Sequence, residues 1–99
     1  MPQVIVTTSQ PSAPQIPYNG RRKTLVIRNS GTTDGSTVTW NEVFYDLTGD
    51  DRGVTKVGKG ISPKAAEYFN KGQGDNTERG VYLQSVGGNV LCEWSEQVS

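Results

Sequence analysis

Histidine is absent and cysteine occurs once in this chain of 99 residues, and the two scarcities narrow its chemistry before any pattern is read. Without imidazole, the commonest general base and metal ligand are missing, and serine or cysteine triads built on histidine are excluded. A lone Cys92 excludes an internal disulfide framework and a cysteine-rich zinc site, and reads as a small buried hydrophobe. Charge of one sign is lacking too: Lys plus Arg and Asp plus Glu stand at ten each, so global charge steers the protein toward neither nucleic acid nor an anionic membrane. No apolar run approaches the ~20 residues of a membrane span, and no basic segment followed by an apolar run opens the chain. The expectation is a soluble, unprocessed protein with no nucleic-acid or membrane partner. A single domain over residues 1–99 is expected, because no composition break divides them. A chain of this size buries only roughly 60–70% of its unfolded surface, which favours association with further copies or a larger surface.

What is present is β-forming sequence between turn signals. Gln3 to Thr8 suits a sheet edge. Ser9 to Asn19 carries prolines at 11, 14 and 17, which remove amide donors, so residues 9–20 cannot sit inside a sheet and read as an extended arm or a long connection. Thr24 to Asn29 is a near-continuous β run, with Leu25 and Ile27 on one side and Thr24, Val26 and Arg28 on the other. In Val38 to Leu47 alternation fails unless a bulge lies near Asn41-Glu42. Val54 to Ile61 keeps a weak alternation. Ser62-Pro63 followed by KAAEYFNK and Gly72 leaves two readings of residues 63–71: a short helix, or a strand through Tyr68 and Phe69. Gly72 to Gly80 reads as an exposed, mobile loop. At the end, Gly87-Gly88 between two β runs predicts a two-residue hairpin, with Leu83 opposite Cys92 and Val81 opposite Trp94. The fold class expected is all-β, a small antiparallel β-sandwich or barrel.

No residues are nominated for catalysis, a cofactor or a metal. Glu42 and Asp46 would stand roughly 13 Å apart along a regular strand, beyond the ~5–9.5 Å of paired glycosidase carboxylates. Asp46, Asp50 and Asp51 lack the ligand spacing of a calcium loop and read as a solvated turn. Arg21, Arg22 and Lys23 form the one basic run, unaccompanied by a row of stacking aromatics, which points to a protein partner rather than nucleic acid. Trp94 reads as core, whereas Tyr82 lies on the wet face of the expected hairpin. The expected protein-contact residues are Pro11, Pro14, Ile16, Pro17, Tyr18, Arg21, Arg22, Lys23 and Tyr82, with the arm lying along a partner subunit and gaining order there.

The run RRKTLVIRNS, residues 21–30, resembles the opening R-R-x-x-L-x-I-x-N-x-S/G of many small virion proteins of tailed bacteriophages. VYLQSVGGNVLCEWSE, residues 81–96, is similar to their closing hairpin, and GISPKAA stands where that family usually reads L-x-P-G, with lysine in place of the glycine. The resemblance covers most of the chain in order. It implies a non-enzymatic β-sandwich located on the virion, decorating or cementing the capsid exterior by contact with the major capsid protein, often as a homotrimer. The rival readings are a carbohydrate-binding or host-adhesion module with Tyr82 or Tyr45 as platform, and a tail or neck component of the virion.

Overall fold

A computed structural model describes residues 2–9, 11–32, 43–46, 60–86 and 88–98. Among the described residues seven strands follow in chain order: β1 (Gln3–Val6), β2 (Arg22–Thr32), β3 (Val43–Asp46), β4 (Gly60–Ile61), β5 (Ala66–Asn70), β6 (Tyr82–Ser85) and β7 (Val90–Val98). They form two antiparallel sheets, one of order β1-β7-β2-β5 and one of order β4-β3-β6. The protein is all-β.

Alternation decides which side of each strand is covered. On β2, Leu25 and Ile27 are buried while Arg28 is exposed; on β7, Val90 and Cys92 are buried and Leu91 and Glu93 only half so. The first sheet gives Val6, Leu25, Ile27, Phe69, Val90 and Cys92 to a shared core, and the second gives Val43, Tyr45, Ile61 and Leu83. The rings of Tyr45 and Phe69 meet edge to face across the two layers, centroids 5.2 Å apart. Trp94 packs half-buried against this core. The two sheets thus make a sandwich, each supplying the apolar face that the other covers.

Two bulges shape β2. Between Asn29↔Cys92 and Thr32↔Val90 an extra residue enters, and Gly31 takes a φ of 100°, a conformation glycine adopts without penalty. The second bulge falls at Lys23, between Arg22↔Val98 and Thr24↔Gln97.

The expected terminal hairpin does not form. β7 already has β1 on one edge and β2 on the other, so β6 pairs with β3 in the opposite sheet, and Val81 bridges to Ile16 rather than to Trp94. Strands facing each other across a core carry the same apolar pattern as strands side by side, and the pattern around the glycines suits both. Gly87 lies outside the described residues; beside it, Ser85 Oγ donates to Gly88 O at 2.6 Å.

Of the two readings of residues 63–71, the structure takes the strand through Tyr68 and Phe69 and not the helix. Ser62 to Ala65 closes a turn, with Ala65 N donating to Ser62 O at 2.9 Å and Lys64 at a φ of 67°. Proline at the second place and a left-handed third residue fit a type II turn. The strand β5 follows, pairing Phe69 with Leu25, so Phe69 is buried and Tyr68 exposed. Serine and proline signal a turn here as well as they signal a helix start.

In the loop expected to be exposed and mobile, Gly72, Gln73, Gly74, Asn76 and Arg79 are exposed, while Lys71–Gln73 forms a 3-10 turn and Thr77 is fully buried. The expected bulge at Asn41-Glu42 and the turn residues Asp50 and Asp51 lie outside the described residues, as does Val54 to Lys59 of the expected fourth strand.

Candidate functional site

Of the two readings of the proline-containing segment, the structure favours the connection packed on the molecule over an arm reaching away from it. Ile16 is fully buried and pairs with Val81; Val81 N donates to Ile16 O at 2.9 Å, and Gln15 N returns a bond to Val81 O at 3.0 Å. Leu83 N donates to the Gln15 side chain at 2.8 Å, and Ser85 N to Thr7 O at 2.9 Å. The alternate amides of Val81, Leu83 and Ser85, the last two in β6, are therefore met in antiparallel order by Ile16, Gln15 and Thr7. Pro11 is buried as well.

Arg22 fixes the far end of this segment. The bulge at Lys23 turns its side chain inward, where it is 1% exposed. Its Nη2 donates to Pro17 O at 2.7 Å, Nη1 to Thr77 O at 2.9 Å and to Arg79 O at 3.2 Å, and Nε to Glu96 Oε2 at 2.8 Å. Thr77 Oγ1 answers by donating to Arg22 O at 2.8 Å, and the guanidinium sits 5.6 Å from the centre of the Trp94 ring. One planar cation with its donors in a fixed fork thus ties the proline segment, the loop at 77–79 and the end of β7 together. Asn19 reinforces the tie, its N donating to Glu78 O at 2.9 Å and its Nδ2 reaching Glu96 Oε1 at 3.2 Å.

Between the two segments so held lies an open groove of about 450 Å³, lined by Pro14, Tyr18, Glu78, Arg79, Gly80 and Tyr82. Pro14 rests directly on Gly80: a methyl group there would come within 2.9 Å of the proline Cβ and Cγ. Tyr18 is 69% exposed, with its hydroxyl over Gly20, and Tyr82 is half-buried. Glu78 turns Oε2 toward Lys71 Nζ at 3.9 Å.

Of the residues singled out in the sequence, the structure brings Pro14, Tyr18 and Tyr82 together in this groove. Pro17, Arg21 and Lys23 are exposed but outside its lining. Pro11, Ile16 and Arg22 are buried, so their side chains serve the interior rather than a partner. Tyr45 is 8% exposed and has no face free for a sugar; burial, with Glu67 and Asp75 nearby, holds its hydroxyl above the usual tyrosine pKa. Sequence reasoning missed Glu78, Arg79 and Gly80. Their loop reads as generic polar chain until Arg22 binds its carbonyls. Among the described residues no group of three His, Cys, Asp or Glu side chains converges as a metal site would need, and no helix is long and apolar enough to cross a membrane. Comparison with family models, with curated proteins and with solved structures finds no match.

Proposed function

We propose that this chain is a non-enzymatic structural protein of a tailed-phage virion, decorating or stabilising the capsid exterior through contacts with the major capsid protein. The observation that carries the reading is the groove: Pro14, Tyr18 and Tyr82, nominated from sequence as contact residues, share one surface whose walls are held by a buried arginine. Tyrosine rings offer large contact area at small entropic cost, and a rigid base removes the ordering penalty of binding. Further support comes from the motif in residues 21–30 and from the all-β fold, whereas residues 81–96 do not form the closing hairpin that the resemblance implies. The position after Pro63, where the resembled proteins carry glycine, holds Lys64 in a conformation that glycine prefers. A homotrimer would multiply a modest contact per subunit into firm attachment.

Removing the N-terminal segment is a poor test, because it would strip Val6 and Ile16 from the core. Surface substitution is cleaner. Tyr18→Ala and Tyr82→Ala proteins added to virions lacking the chain are expected to lower capsid occupancy at least tenfold, measured by quantitative mass spectrometry with imaging to locate the protein. Unchanged occupancy, or density only at the tail, would sink the proposal.

A further inference from the structure

The groove differs from a generic sticky patch in the balance of its hydrogen-bonding groups. Its donors are the two phenol hydroxyls of Tyr18 and Tyr82 and the guanidinium of Arg79. Among the described residues that line it the one carboxylate is Glu78, which turns Oε2 toward Lys71, and that oxygen is buried without a hydrogen-bond partner. The lining thus offers three donor-bearing side chains beside two aromatic rings. A proline-bearing peptide in the polyproline conformation is matched well: its prolines have no N–H to satisfy, and its carbonyls point outward in need of donors.

The shape of the site gives a second, independent argument. One wall is itself a proline-rich extended segment, and the ring of Pro14 seats on the bare backbone of Gly80 next to Tyr82. The surface already accommodates one proline ring in van der Waals contact. A second extended chain laid beside Pro14 would meet the rings of Tyr18 and Tyr82, the arrangement by which aromatic-lined grooves read proline-rich segments. Arg22, through the carbonyls of Pro17, Thr77 and Arg79, keeps the two walls at a fixed separation, so the groove exists before a ligand arrives.

We propose that the groove formed by Pro14, Tyr18, Arg79, Gly80 and Tyr82 binds an extended, proline-bearing segment of the partner protein. The inference rests on the protein-contact reading of the groove given above and adds the chemistry of what enters it.

The test uses the full chain, labelled with nitrogen-15 and titrated with a short acetylated and amidated oligoproline, with a glycine-serine peptide of the same length and with maltotriose. Saturable amide shifts confined to Tyr18, Arg79, Gly80 and Tyr82 are expected with oligoproline alone, and Tyr18→Ala is expected to weaken the affinity at least tenfold. Tyr18 is the first choice because its exposure leaves the fold intact; Tyr82→Phe, which keeps the ring and removes one donor, is expected to weaken binding several-fold. Oligoproline silence at millimolar concentration, shifts at another surface, or equal binding of the glycine-serine peptide or maltotriose would overturn the inference. The two proposals fail separately. Silence toward oligoproline with capsid occupancy still dependent on Tyr18 removes the ligand class and leaves the capsid contact; oligoproline binding with unchanged occupancy does the reverse.

Discussion

A guanidinium in the interior of a small protein is stable only when nearly every donor it carries is met, because desolvating a charge costs several kcal/mol. Arg22 meets this condition with three carbonyls and the Glu96 carboxylate, whose side chain keeps 27% of its surface in water. Truncation would leave Pro17 O, Thr77 O and Arg79 O without their shared donor and Glu96 without its cation. Arg22→Met is therefore expected to destabilise by about 3–5 kcal/mol in urea denaturation, a large part of the ~5–15 kcal/mol available to a small domain. Arg22→Lys, which keeps the charge but cannot span the three carbonyls, should fall between that and Glu96→Gln at about 1–2 kcal/mol. A cost below 1 kcal/mol for Arg22→Met would remove the arginine from its central place. This role was illegible in the sequence for a definite reason. Counting back from buried Leu25 by strict alternation places Arg22 on the wet side, and only the bulge at Lys23 reverses it.

At the scale of elements, edges and turns determine the arrangement. The edge of β6 would otherwise present its amides to a neighbouring molecule, the hazard that makes open strands prone to association. Thr7, Gln15 and Ile16 cover it and the adjoining Val81 with two backbone carbonyls and one glutamine side chain, and Pro11 and Pro14, which lack an N–H, offer no donor to a further strand. The turn before β5 carries a different cost. Lys64 at a φ of 67° occupies the left-handed region, worth roughly 1–2 kcal/mol against a residue with a Cβ, part of which glycine would return through its greater freedom when unfolded. Lys64→Gly is expected to raise the unfolding midpoint, by a net of about 0.5–1 kcal/mol. A fall would mean that the lysine side chain contributes more than its backbone costs. The strands themselves were legible: β1 as an edge, β2 with Leu25 and Ile27 inward, and β7 with Cys92 covered all follow from period-two patterning. Partnership was not, since β6 and β7 carry one pattern that a hairpin and a cross-core pair satisfy alike.

For the whole molecule, stability rests on a thin core between two sheets, and two ionisable groups lie within it. Burial pushes the Cys92 thiol from its ordinary 9.0 up to about 12 and raises the Tyr45 hydroxyl in the same direction. Both groups are neutral when protonated, so the folded state holds its protons to higher pH than the unfolded chain does. Their contribution is complete below pH 9, declines as the unfolded thiol ionises, and is lost as pH rises toward 12. Stability followed by chemical denaturation should therefore fall steadily above pH 9, and Cys92→Ala, although less stable at neutral pH, should show a shallower decline. An equal slope in the two proteins would rule out the thiol as a source.

The groove is likewise a property of the whole. Tyr18 and Tyr82 are 64 positions apart by their numbers, and no local signal pairs them. The sequence by itself determined the all-β class, the inward and outward faces of the main strands and the exclusion of imidazole chemistry, because these follow from residue type and a short repeat distance. Tertiary structure alone decided which strands share a sheet, that the proline segment closes the β6 edge, and that Arg22 joins two distant segments into one rigid surface. Those outcomes depend on competition for a limited number of strand edges and on a single-residue bulge, and neither is written in the local pattern.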